Sequence, residues 1–157
     1  MKKAIMGIDP GKNGGIAVLW GAKNIEAYRY KTPIEMANVV NHILNNCYME
    51  RYNPYVFLER VHAMPTDARS SAFAFVTNYG IWQGILATHK IEPILVNPFV
   101  WQRKLLKRYK LPKDYRQKKN KLKSIAQKFV DFKVTLATAD CILIAKYGNL
   151  KGVINET

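Results

Sequence analysis

The spacing of apolar side chains divides the chain into a strand-rich first part and a helical second part. Residues 4–8 form an unbroken apolar run suited to a buried strand. Residues 14–20 and 25–30 read as two more, with the turn-prone pairs Gly14-Gly15 and Lys23-Asn24 between them, so a three-stranded antiparallel meander is expected. The stretch TPIE then gives Thr32 as a helix N-cap, Pro33 at the first helical position and Glu35 to complete a capping box. Met36, Val39, Val40, Ile43, Leu44 and Cys47 follow at helical spacing. A short apolar run at 55–58, ending in Glu59, predicts a fourth strand. A helix-period segment follows from about 67 to 88, then a fifth strand at 92–96. The remainder predicts a helix after Asn97-Pro98, one over about 113–129, and a last one from 137 to 147 that stops before Gly148.

The length of 157 residues, with 48% apolar side chains, no repeat and no linker, fits one domain spanning 1–157. Strands alternating with helices in this order predict an α/β fold, a five-stranded mixed sheet with helices on its faces. Neither a membrane span nor a secretory leader is legible, because no apolar stretch is long enough. Cys47 and Cys141 offer neither a disulfide framework nor a zinc spacing, which fits a reducing cytoplasm.

Charge narrows the function. Twenty-five Lys and Arg against eleven Asp and Glu leave a net +14, which small neutral substrates do not explain and a polyanion does. The excess is regional: residues 1–100 carry a net +3 and residues 101–157 a net +11. Between Trp101 and Lys128 there are twelve basic residues and one acid, Asp114, with Tyr109 and Tyr115 interleaved. Such a surface suits phosphates and bases.

Three carboxylates stand in apolar settings where an ionised group is costly without a partner. Asp9 ends the first strand, Glu59 ends the fourth, and Asp140 is the only charge between Lys133 and Lys146. If the first and fourth strands are neighbours and the last helix lies on the sheet, the three converge. Converging carboxylates raise one another's pKa, and divalent cations relieve the repulsion. Hard oxygen ligands of this kind suit two-metal phosphodiester hydrolysis with Mg²⁺, for which Mn²⁺ can stand in. The alternative is separate and structural: Asp9 caps a turn, Glu59 pairs with Arg60 or a lysine, and Asp140 answers a helix dipole.

GIDPGKNGGIAV, FLERVHAMP and ATADCILIA, in this order and spacing, resemble the motifs of RuvC-like Holliday-junction resolvases of the ribonuclease H-like superfamily, in particular the small bacteriophage versions. The resemblance implies a ribonuclease H-like five-stranded mixed sheet, and Asp9, Glu59 and Asp140 as metal ligands. It also implies a homodimer that nicks opposing strands of a four-way DNA junction in the cytoplasm, that of a bacterial host if the chain is phage-encoded. One position departs: where the pattern has a further Asp, one turn before Asp140, this chain has Ala137. The ligand set is one short, as in a cleavage-dead variant, whether engineered or divergent.

The resemblance places His62, with Met64 beside it, at the junction centre, and puts the helix carrying Gly80 and Gly84 in the dimer interface. Glycines there cost about 1 kcal/mol each in a helix relative to Ala and need a compensation, either a close partner helix or packing on the sheet. Phe73, Phe75 and Trp82 of that helix read as core. Arg60, Arg69, Lys104, Lys107, Lys118 and Lys121 are candidate phosphate contacts, and Lys118 or a neighbour a candidate for stabilising the transition state. Trp101 reads as core, with base stacking as its alternative. GIDPGKNGG also resembles the first phosphate loop of the actin and sugar-kinase fold, but such folds use two halves. A broader nuclease acting on forks, flaps and three-way branches, or a non-catalytic junction-binding protein, are the competing functions.

Overall fold

A computed structural model describes residues 2–60 and 69–152. β1 (Lys2–Asp9), β2 (Gly15–Trp20) and β3 (Asn24–Arg29) form the antiparallel meander. α1 (Pro33–Met49) crosses to β4 (Tyr52–Glu59), which lies parallel to β1, and α2 (Arg69–Thr88) leads to β5 (Ile94–Val96), parallel to β4. The sheet order is β3-β2-β1-β4-β5. Three helices complete the described chain: α3 (Pro98–Leu105), α4 (Tyr115–Ala126) with a 3-10 turn after it, and α5 (Leu136–Leu150).

Local chemistry sets these boundaries. The Thr32 hydroxyl accepts from the Glu35 amide at 3.2 Å and donates to the Glu35 carboxylate at 3.0 Å, with Pro33 in the first turn. Asn97 and Asp114 cap α3 and α4 by accepting from Phe99 N and Gln117 N at 2.9 and 2.8 Å. β4 begins three residues earlier than its apolar run, and passes through Pro54. Proline is tolerated there because β5 pairs only from Phe57 onward, which leaves β4 at an edge where Pro54 sits.

The period of two along the strands divides the core. Ala4, Met6 and Ile8 of β1, with Val56 and Leu58 of β4, pack under α1 and α2. Ile5 and Phe57 face the other way, into a core built from α3, α4 and α5. Gly7 shares that second face. A Cβ at Gly7 would overlap the main chain of α5 at Cys141 O and Ala145 N, so α5 lies directly on β1. Gly148 does not end the helix as its position in the sequence predicts. It is buried within α5, and a Cβ there would stand 2.6 Å from the Phe57 ring, so its role is close packing. Cys47 and Cys141 are free thiols buried in different cores.

The expectation that Phe73 and Phe75 are core is wrong: Phe73 is 76% and Phe75 37% exposed, while Trp82 is fully buried. Gly80 and Gly84 are exposed on the same helix, with nothing among the described residues within 4 Å of a Cβ at either, so they do not pack on the sheet. Among the described residues no helix is long and apolar enough to cross a membrane.

Replacing Gly7 by Ala is expected to destabilise the protein by about 3 kcal/mol or more, because the methyl meets backbone and not a movable side chain. The urea midpoint measures it, and an unchanged midpoint contradicts the direct seating of α5 on β1.

Candidate active site

Asp9 and Glu59 occupy the last positions of adjacent parallel strands. Gly7 pairs with Phe57 and Ile8 with Leu58, so the register carries Asp9 and Glu59 to the next rung. Being odd-numbered, both share the face of Gly7 and Phe57, on which α5 lies. Asp140 precedes Cys141, the residue whose carbonyl touches Gly7, and so reaches the same end of the sheet. All three carboxylates line one open cavity of about 1030 Å³, together with Lys118 and Lys119 of α4.

The polar partners are few. Asp9 Oδ1 accepts from the Gly11 amide at 3.0 Å, which is the turn-capping role expected of it. Glu59 Oε2 accepts at 2.6 Å from the indole N–H of Trp101, a buried side chain, and not from Arg60. Asp140 is only 4% exposed. Its Oδ2 is ion-paired with the Lys119 ammonium, and its buried Oδ1 has no hydrogen-bond partner among the described residues.

Burial and mutual repulsion dominate the electrostatics. Burial first, then Asp140, pushes the Asp9 carboxyl up to about 6, against the pull of Lys119 and the Gly11 amide. Burial, then Asp9 and Asp140, pushes Glu59 up to about 8, against the Trp101 hydrogen bond and Lys119. Burial lowers the proton affinity of Lys119, but Asp140, with Asp9 behind it, more than reverses this. The ammonium is thus the counter-charge for all three carboxylates.

The resemblance points to Lys118 or a neighbour for this place. Lys118 lines the cavity, but the ammonium paired with Asp140 belongs to Lys119. Helix phase alone does not separate the two, since Lys118 stands four residues and Lys119 three residues before the buried Leu122. Trp101 was legible as core but not as the donor to Glu59. Phe75, expected in the core, and Tyr115, expected on the basic surface, both stand on the cavity wall. Ala137, half-buried in the first turn of α5, brings no carboxylate. Lys104, Lys107, Lys121 and Arg60 are exposed and lie outside the cavity. His62, Met64 and the side chain of Arg69 lie outside the described residues.

The donor set fits a divalent cation: three hard carboxylates, two of them held above their ordinary range by burial and then by mutual repulsion, and a buried oxygen of Asp140 without a hydrogen-bond partner among the described residues. Among the described residues no three side chains of metal-binding type already stand in ligating array. One oxygen of Asp140 is engaged by Lys119.

The five-stranded mixed sheet of this order, with helices on both faces, has the ribonuclease H-like fold. No family model matches the sequence, and no curated protein matches it. Two solved structures share the fold over nearly their whole length. One is T. thermophilus RuvC in complex with a Holliday junction substrate, at a TM-score of 0.59 and 14% identity, covering 96% of each chain. The other is Thermus thermophilus RuvC, at 0.51 and 14% identity, covering 95% of this chain and 96% of that one. The likeness is one of fold, and the chain is RuvC-like in that sense.

Glu59→Gln is expected to stabilise the chelator-treated protein in a pH-dependent way. The folded state holds the Glu59 proton more tightly than the unfolded chain, whose glutamate titrates near 4.5. The parent therefore loses stability as pH rises from about 4.5 through about 8, and the variant does not share this loss. Melting curves should coincide near pH 4 and separate by several degrees at pH 8, on the order of 1–3 kcal/mol. A gap that is the same at both pH values refutes the shift.

Proposed function

We propose that this chain is a structure-specific endonuclease that hydrolyses phosphodiesters in branched DNA, with four-way junctions as its principal substrate. One observation carries the reading: Asp9, Glu59 and Asp140, from three distant parts of the chain, line a single cavity with two lysines of the most basic segment. The fold is shared with a RuvC bound to a Holliday junction.

In this reading Asp9, Glu59 and Asp140 hold a divalent cation, Mg²⁺ by preference with Mn²⁺ as substitute. When bound, it supplies the positive charge that stabilises the pentavalent phosphorus and eases deprotonation of the attacking water. The water oxygen adds to phosphorus and the bond to the leaving sugar oxygen breaks, which leaves ligatable ends. Trp101 orients Glu59 through Oε2, and buried Leu122 and Ile125 anchor the helix that presents the lysines. Lys118, on the cavity wall, meets the scissile phosphate. Arg60, Arg69, Lys104, Lys107 and Lys121 track the outer phosphates, and His62 and Met64 meet the junction centre. The exposed face of α2 bearing Phe73, Val76, Gly80 and Gly84 pairs with a second copy, so that two cavities act on one junction.

A second reading, a junction-binding protein without cleavage, is favoured by Ala137 and by the engagement of Asp140 with Lys119. Cleavage assays separate the two. The parent is expected to nick four-way junctions in Mg²⁺ in preference to forks, flaps and three-way branches. Asp9→Asn should abolish nicking while leaving DNA affinity within about threefold, and Ala137→Asp should speed it tenfold or more, the scale of a restored ligand. Tight junction binding without cleavage by either the parent or Ala137→Asp supports the binding protein instead.

Affinity for junction DNA should fall steeply between 50 and 200 mM salt, about 10³-fold or more if six or more phosphates are neutralised. Lys121→Ala should lower the slope of log affinity against log salt by about one. Fluorescence anisotropy titrations measure both, and a flat salt dependence removes the basic segment from the interface.

A further inference from the structure

The Lys119 ammonium is not a surface charge that happens to fall near an acid. Its side chain is 29% exposed, and α4 is locked in place by Leu122, Ile125 and Ala126, all buried on the side of the helix that carries Lys119. It is ion-paired with Asp140, and both Asp9 and Glu59 feel its charge. Ala137, one turn before Asp140 in α5 and not among the residues lining the cavity, brings no further carboxylate. Asp140 keeps one buried oxygen engaged by the ammonium and the other without a partner among the described residues.

Charge counting shows what this arrangement admits. Three ionised carboxylates carry three negative charges. In the DNA-free protein, one divalent cation and the Lys119 ammonium cancel them. Two divalent cations beside the ammonium would leave a double positive excess in a partly desolvated site, which is strongly disfavoured.

We propose that the Lys119 ammonium takes the place of a second cation, so that Asp9, Glu59 and Asp140 would hold a single divalent ion per chain. The proposal rests on the reading of Asp9, Glu59 and Asp140 as a cation site. An ammonium fixed by the fold differs from an exchangeable ion. It cannot be stripped by chelators, and it holds the carboxylates together before any metal arrives.

The test is a count of bound Mn²⁺, by isothermal calorimetry and by the electron paramagnetic resonance signal of the free ion, on the intact DNA-free chain. One Mn²⁺ per parent chain is expected, one also for Lys119→Arg, which keeps the charge, and two for Lys119→Gln. Two ions in the parent overturn the proposal and leave the cation site standing, whatever the folding of the variants. A Lys119→Gln protein that folds, by its circular dichroism, and keeps the parent's stoichiometry and affinity overturns it as well. No bound Mn²⁺ in the parent, with none in Ala137→Asp, overturns the cation site itself and this proposal with it.

Discussion

The contact on which the rest of the structure depends is the seating of α5 on the backbone of β1 at Gly7. The strand offers no side chain at that point, so Cys141 O and the Ala145 amide approach the strand directly. The consequence reaches one residue back along the helix. Asp140, which would otherwise stand a side chain's width above the sheet, is brought down to the ends of β1 and β4 where Asp9 and Glu59 emerge. Packing in the apolar core thus sets the separation of charged groups at its rim. The core is rigid on the scale that matters, because close-packed interiors transmit a displacement and do not absorb it.

That geometry has an electrostatic penalty, visible in the raised proton affinities of Asp9 and Glu59. The fold meets it with three devices of different strength. The Gly11 amide and the Trp101 indole each donate one hydrogen bond, worth about 1–3 kcal/mol to a charged acceptor. Lys119 supplies a full charge. In the proposed reading, the remaining imbalance is what a bound cation would relieve, and Asp140 Oδ1, without a hydrogen-bond partner among the described residues, is an acceptor left for it. Carboxylates raised together in a cleft are the kind of arrangement found at functional sites, which is why the cluster carries the proposed reading.

How much of this was legible follows from the range of the interactions involved. Local signals read well: Thr32, Pro33 and Glu35 announce α1, and Asn97-Pro98 announces α3, because caps act within one turn. The three carboxylates stood out because a charge inside an apolar run is improbable without a reason, and strand order then brought them to one cavity. Non-local facts were hidden. Whether Lys118 or Lys119 pairs with Asp140 depends on where α4 lies against α5, since both share a stripe with Leu122. Gly148 reads as a stop signal, yet it serves as a packing site beneath Phe57, which no neighbour in sequence reveals. Phe73 and Phe75 were misjudged because apolar residues run all round α2, so periodicity does not say which side meets the sheet.

That same ambiguity in α2 bears on assembly. From Ser70 to Thr88 the helix carries no charged residue, in a protein of net charge +14, and its outer side exposes Phe73 and Val76 beside two glycines open to solvent. Two copies of so basic a protein repel each other, so a surface used for pairing must lie where the local charge is least, and α2 meets that condition. The basic segment from Trp101 to Lys128 lies on the other side of the sheet, with α3 and α4. Pairing through the face of α2 that bears Phe73, Val76, Gly80 and Gly84, as proposed, would leave both cationic surfaces clear of the contact and available to the arms of one branched DNA. The neutrality of one helix and the basicity of another are in this view two parts of a single arrangement, in which the polyanion itself relieves the repulsion that remains between the copies.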